Sequence, residues 1–135
     1  MKATELMIGD WVGRVFDDKR IDYRQVDWIR TGEIGMRYQK VWAIGCIEPI
    51  PLTAEILEKN GWERDIDKEW EYNNSHILPH YCYQWEKRNV KIEMYAGLEG
   101  FTISLIIGRR FYAVHELQHV LRLYGLDELA DNFKV

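Results

Sequence analysis

The longest helix-period stretch in this chain runs from Tyr112 to Gly125, YAVHELQHVLRLYG, and the rest has to be organised around it. At about 100° per residue, Val114, Leu117, Val120, Leu121 and Tyr124 fall in one arc, the pattern of a helix with one buried apolar stripe. His115, His119 and Arg122 fall on roughly the opposite arc, with Glu116 further round. The apolar stripe is therefore expected to face a core and the histidine stripe to face away from it. Gly125 stands where a left-handed residue would stop the helix, with Leu126 placed to fold back onto Leu121.

Outside that helix most of the chain reads as strand and turn. Val12 to Phe16 and Ile21 to Ile29 are β-rich runs separated by the polar turn Asp17-Asp18-Lys19-Arg20. Gly32 and Gly35 mark a further turn region, and Met36 to Ile47 is again β-prone. Short strands with glycine-bearing turns in so few residues predict a small, strongly bent lobe of SH3-like scale over residues 1–50. Pro49 and Pro51 end that lobe, because neither ladder nor helix continues through them. Thr53 then reads as the N-cap of a linking helix within 51–61, with Gly61 as its stop and Trp62 folding back onto Leu57.

Residues 62–135 begin with period-two alternation. Trp70 and Tyr72, then Tyr81, Tyr83 and Trp85, then Val90, Ile92 and Met94, then Phe101, Ile103, Leu105 and Ile107 each alternate with other residues, mostly polar. Four such runs predict an antiparallel sheet with one buried face, turning at 87–89 and 97–100. The expected fold class is thus α+β: an SH3-like N-terminal lobe, a linking helix, and an antiparallel sheet covered by the C-terminal helix. Asp127 is expected to cap a last short turn from Glu128 to Asp131.

Within the long helix lies His115-Glu116-Leu117-Gln118-His119, which fits H-E-x-x-H, two imidazoles one turn apart as zinc ligands with the glutamate as base. A catalytic zinc needs a third protein ligand, leaving a fourth position for water. Arg122 and Leu123 stand where an extended motif would continue, and only Glu128 and Asp131 are local carboxylate candidates. His115 follows the strand-like Arg110-Phe111-Tyr112 so closely that it falls in the first helical turn, where Glu116 is explained by the helix dipole. The motif is accordingly expected to be coincidental, with no metal and no catalytic residue. The alternative is zinc held by His115 and His119 with Glu116 as base.

Other constellations are weaker. His76, His80 and Cys82 match no zinc spacing, and Asn73, Asn74 and Pro79 make the first part a loop. Asp17-Asp18 and Asp65-x-Asp67 are carboxylate pairs in polar runs, expected to be solvated. The aromatic strip Trp70, Tyr72, Tyr81, Tyr83 and Trp85 could stack bases, but 18 Lys and Arg against 22 Asp and Glu, scattered, give no footprint for nucleic acid. A core face is the expectation for these aromatics. Two cysteines, Cys46 and Cys82, make no disulfide framework, and no apolar run reaches a membrane span. A reduced, cytoplasmic protein is expected.

Three segments, Glu5 to Val12 (ELMIGDWV), Glu48 to Trp62 (EPIPLTAEILEKNGW) and Val114 to Gly125 (VHELQHVLRLYG), carry a resemblance. In this order they resemble a group of short proteins of Bacteroides-type gut bacteria, which look like products of phage or mobile-element neighbourhoods. The resemblance implies no activity and no catalytic residues. The expected function is a non-enzymatic binding or adaptor protein working through contacts with a protein partner. A zinc-dependent hydrolase and a nucleic-acid-binding barrel are the alternatives.

Overall fold

The structure, a computed structural model, describes residues 1–66, 69–70, 80–85, 91–95, 102–103 and 111–135. It is α+β, with a curled antiparallel half-barrel of SH3-like form at the N-terminus. Two compact units are distinguished by contact: residues 1–51 with 113–133 and Val135, and residues 52–112 with Lys134. The expected division at 50 and 61 keeps the C-terminal helices with the second sheet. By contact, residues 113–133 group with the N-terminal lobe.

In the first unit, β1 (Trp11–Val15), β2 (Ile21–Arg30), β3 (Glu33–Met36) and β4 (Lys40–Ala43) form one sheet in chain order. The polar turn after β1 closes as expected, with the Phe16 N–H donating to Arg20 O over 2.9 Å and Lys19 at φ 64°. The first half of β2 pairs with β1, from Val15↔Ile21 to Trp11↔Gln25, and the second half pairs with β3, from Val26↔Met36 to Arg30↔Glu33. The register shifts between Val26 and Trp28, and such a bulge bends the strand and increases its twist. Across the far edge of β1, Gly13 and Glu48 exchange backbone hydrogen bonds of 2.9 and 2.8 Å, which folds the end of the lobe back onto its first strand. Leu6, Val12, Val26, Ile34, Met36, Trp42 and Ile47 fill the interior.

Two expectations need correction here. Met36 to Ile47 is not one β run: a hairpin turn separates β3 from β4, and a 3-10 turn at Ile44–Cys46 follows. Tyr38 and Gln39 both take positive φ, 67° and 60°, as a primed turn matching strand twist requires, although neither is glycine or asparagine. Gly35 is not a turn residue either. It lies inside β3 opposite Trp28, whose indole occupies the space where a Gly35 side chain would begin.

The second unit opens with α1 (Ala54–Lys59), capped by the Thr53 hydroxyl accepting the Ile56 N–H at 3.2 Å. Gly61, at φ 83°, gives its N–H to Glu58 O at 3.0 Å and ends the helix. β5 (Trp62–Arg64), β6 (His80–Trp85), β7 (Lys91–Tyr95) and β8 (Thr102–Ile103) then make an antiparallel sheet in chain order. The first strand is β5 rather than the run around Trp70, where Glu69 and Trp70 are helical. Buried Glu69 explains that: its carboxylate accepts the Cys82 N–H at 3.0 Å and two bonds from Arg64 at 3.1 and 2.7 Å. The turns expected at 87–89 and 97–100 lie outside the described residues.

Because the Trp28 ring closes over Gly35, Gly35→Ala should destabilise the chain by about 1–3 kcal/mol through overpacking. Gly32→Ala, with open space but φ 82°, should cost only about 1 kcal/mol from backbone strain. Urea unfolding of both variants checks the ordering.

Candidate functional site

The H-E-x-x-H residues sit on α2 (Val114–Leu123), which is followed by α3 (Asp127–Asp131). Ala113 is the extended N-cap residue and pairs with Pro51, so His115 falls in the first turn, with Glu116 beside it. At the other end Gly125, at φ 74°, donates to Arg122 O and Leu126 to Leu121 O, both at 2.9 Å. That pair of bonds is the Schellman stop read from the sequence. Asp127 begins α3 rather than capping it.

The face of α2 carrying the histidines does not look away into solvent. His115 and Gln118 are buried, whereas Leu123 is 80% exposed. The expectation that this stripe faces outward is therefore corrected. Its partner is the turn Met7-Ile8-Gly9-Asp10 and the start of β1, and the cause is one carboxylate.

Asp10 is fully buried. Its Oδ2 accepts the Met7 N–H at 2.8 Å and meets His119 Nε2 at 2.6 Å, and its Oδ1 accepts Arg122 Nη1 at 2.8 Å. A carboxylate only accepts, so His119 carries a proton on Nε2. Arg122 also bonds Asp131 Oδ1 at 3.1 Å. Burial works against the Arg122 charge, but the bonds to Asp10 and Asp131 outweigh it and raise its pKa.

Beside this cluster, Gln118 fastens three backbone segments at once. Its Oε1 accepts the Trp11 N–H at 2.9 Å, and its Nε2 donates to Gly9 O at 3.0 Å and Ala130 O at 2.8 Å. From β2, Gln25 Nε2 donates to the same Gly9 O at 3.2 Å and to Asp131 O at 3.0 Å. The Trp11 indole N–H reaches Phe133 O at 2.5 Å. Gly9 has φ 92°, and a Cβ there would lie 3.0 Å from Arg122 Nη2, so glycine meets both the backbone and the space requirement.

Against this geometry a zinc site on His115 and His119 fits poorly. Tetrahedral ligands about 2.0–2.1 Å from zinc lie about 3.3 Å apart, whereas Asp10 and His119 are in direct hydrogen-bond contact at 2.6 Å. Arg122 holds the same carboxylate, placing a fixed positive charge where a cation would bind. Among the described residues no group of three His, Cys, Asp or Glu side chains is arranged to hold a metal. Of the local third-ligand candidates, Asp131 is engaged by Arg122 and Glu128 is exposed on α3.

His115 itself is buried, and among the described residues its Nδ1 has no hydrogen-bond partner. Its ring stands edge-on to His119, with centroids 5.7 Å apart. Burial lowers its pKa below 6.5. Asp10, Glu116 and Glu5 oppose that shift in part, and His119 adds to it.

The remaining sequence candidates are dispersed. Asp18 pairs with Arg20 at 2.6 Å on the surface. His76, Asp67 and Tyr72 lie outside the described residues; Cys82 and Tyr83 are buried in β6, and Trp70 is 70% exposed. Asp10, Gln25 and Gln118 are the residues that sequence reading misses. In the sequence Gly9-Asp10 reads as turn chemistry, which gives Asp10 no further role. No family model, curated protein or solved structure matches the chain.

Removing Asp10 leaves Arg122 and His119 facing a buried gap, so Asp10→Ala should cost about 3–5 kcal/mol, read from denaturant midpoints. Gln118→Leu should cost about 2 kcal/mol, since the part-buried N–H of Trp11 and the buried carbonyl of Ala130 lose their partners.

For His115 the folded-state pKa lies below the unfolded value, so the unfolded chain takes up the proton first as pH falls. Stability then declines from near pH 6.5 downward, by at most about 1.4 kcal/mol per pH unit. His115→Gln should flatten that limb of a stability-versus-pH profile. An unchanged slope would exclude His115 as its source.

Proposed function

We propose that the chain is a non-enzymatic binding or adaptor protein of a bacterial mobile element, cytoplasmic, acting through contacts with a protein partner. The observation that carries this is the use of the motif residues. His119, with Gln118 and Arg122 beside it, holds α2 against the Gly9-Asp10-Trp11 turn, a structural use for one of the motif's two histidines that supports a non-catalytic reading. Supporting it, the half-barrel leaves large apolar side chains in solvent, among them Ile21 at 55%, Val41 at 52% and Tyr38 at 84% exposure. No helix among the described residues is long and apolar enough to cross a membrane.

A zinc-dependent hydrolase is the second reading, and one observation favours it: the buried, unpartnered Nδ1 of His115 beside the His119 ring. Nucleic-acid binding has the net charge of −4 against it.

Metal analysis of the purified full chain should find zinc well below stoichiometry, and His119→Ala should lower stability without changing that content. Stoichiometric zinc lost in the variant would put the hydrolase first. Tagged full chain expressed in Bacteroides-type cells should retain one defined protein at a fixed ratio through salt washes. A nucleic acid retained in its place, released steeply by salt, would sink the adaptor reading.

A further inference from the structure

β2 is longer than either neighbour, and part of one edge is bare. The bonds from Phe16 N to Arg20 O and from Val26 N to Asp10 O show that the even-numbered residues of β2 exchange bonds with β1. Strand geometry then turns the N–H and C=O of Ile21, Tyr23 and Gln25 to the other edge. Gln25 O accepts the Arg37 N–H there at 3.0 Å, after which the chain leaves through the Tyr38-Gln39 turn. Pairing with β3 covers only Val26 to Arg30, so among the described residues the edge groups of Ile21 and Tyr23 meet no strand.

A hollow of about 530 Å³ lies along this edge, lined by Phe16, Arg20, Ile21, Asp22, Arg24 and Lys40. Three cations face one carboxylate in that lining. Arg24 pairs with Asp22 at 3.0 Å in a part-buried contact, and Arg20 with Asp18 at 2.6 Å in an exposed one that exchanges readily for a better anion. The Arg20 and Arg14 guanidinium groups also lie 5.2 and 4.6 Å from the Phe16 ring centre, which holds cationic charge at the mouth.

We propose that an extended acidic segment of a partner protein adds to this edge as a strand. Four backbone groups, the N–H and C=O of Ile21 and of Tyr23, would pair with it in the line that β3 vacates. Side chains alternate across a strand, so its acidic residues lie beside Arg24 and Lys40. Its apolar residues lie beside Ile21 and Tyr23, which are 55% and 42% exposed. The recognised chemistry is an acid-apolar alternation about four to six residues long, the length of a short strand. This rests on the adaptor reading and names the surface it uses.

The probe is a capped hexapeptide alternating Val and Glu, titrated into ¹⁵N-labelled full chain. Amide shifts should centre on Ile21 and Tyr23, and the Val-Lys peptide should bind about tenfold more weakly or worse. Arg24→Glu with Lys40→Glu, both partly or fully exposed, should reverse that preference while leaving the spectrum folded. A Val-Glu peptide N-methylated at every Val should lose binding, because in an antiparallel pair the residues opposite Ile21 and Tyr23 are the ones whose N–H groups face that edge.

Equal binding of the N-methylated peptide, shifts centred elsewhere, or tighter binding of a thymidine oligonucleotide would each overturn the proposal. The double variant also separates the two levels. A partner still retained by it at the wild-type ratio defeats the edge and leaves the adaptor reading standing, whereas no retained partner and no peptide binding by the wild-type chain defeats both.

Discussion

A carboxylate cut off from water costs several kcal/mol unless its lone pairs are met, and the Asp10 carboxylate, fully buried, meets an N–H, an imidazole and a guanidinium. Those donors come from the turn before β1 and from α2, more than a hundred residues apart in sequence. The charge therefore acts as a positional lock. Any slip of α2 by a residue would strand Asp10 without His119 or Arg122, because only positions three or four apart share a helix face. Gln118, one position from His119, reads the same register through backbone groups of Gly9, Trp11 and Ala130. Apolar packing alone tolerates sliding. A buried ion pair with an amide clamp beside it does not.

What was legible in the sequence follows from range. Local signals worked: Thr53 as a cap, Gly61 and Gly125 as left-handed stops, the polar turn at 17–20, and the placement of His115 in a first turn are each decided by neighbours within a few residues. The hairpin at Tyr38-Gln39 failed because its backbone shape is imposed by the strands on either side and not by the usual turn residues. Gly35 misled for the opposite reason. A glycine serving as a slot for a cross-strand indole has the same letter as one serving a turn.

The histidine face was the costliest miss. A polar stripe opposite an apolar stripe ordinarily means solvent, and the hydrophobic period of 112–125 gave no sign of a second buried surface. The sign was present in composition rather than period. Gln118, His119 and Arg122 form a set of donors with fixed geometry, and a Gly-Asp turn elsewhere holds an acceptor that needs them. Pairing the two requires knowing that the ends of the chain meet, which no local window contains.

The spacing of His115 and His119 suits more than one use. Two side chains four apart project from one helix face, and that geometry serves any task needing convergent groups near a point. Zinc is one such task. Neutralising a buried carboxylate is another, and its marks are present here: direct contact at hydrogen-bond distance, an arginine on the same anion, and a glutamine interleaved between the two histidines and occupied with backbone. His115 stands outside this scheme, buried beside the cluster and, among the described residues, without a bond on Nδ1. Its burial favours the neutral ring, so it packs as an aromatic plate whose protonation works against the fold that the Asp10 cluster maintains.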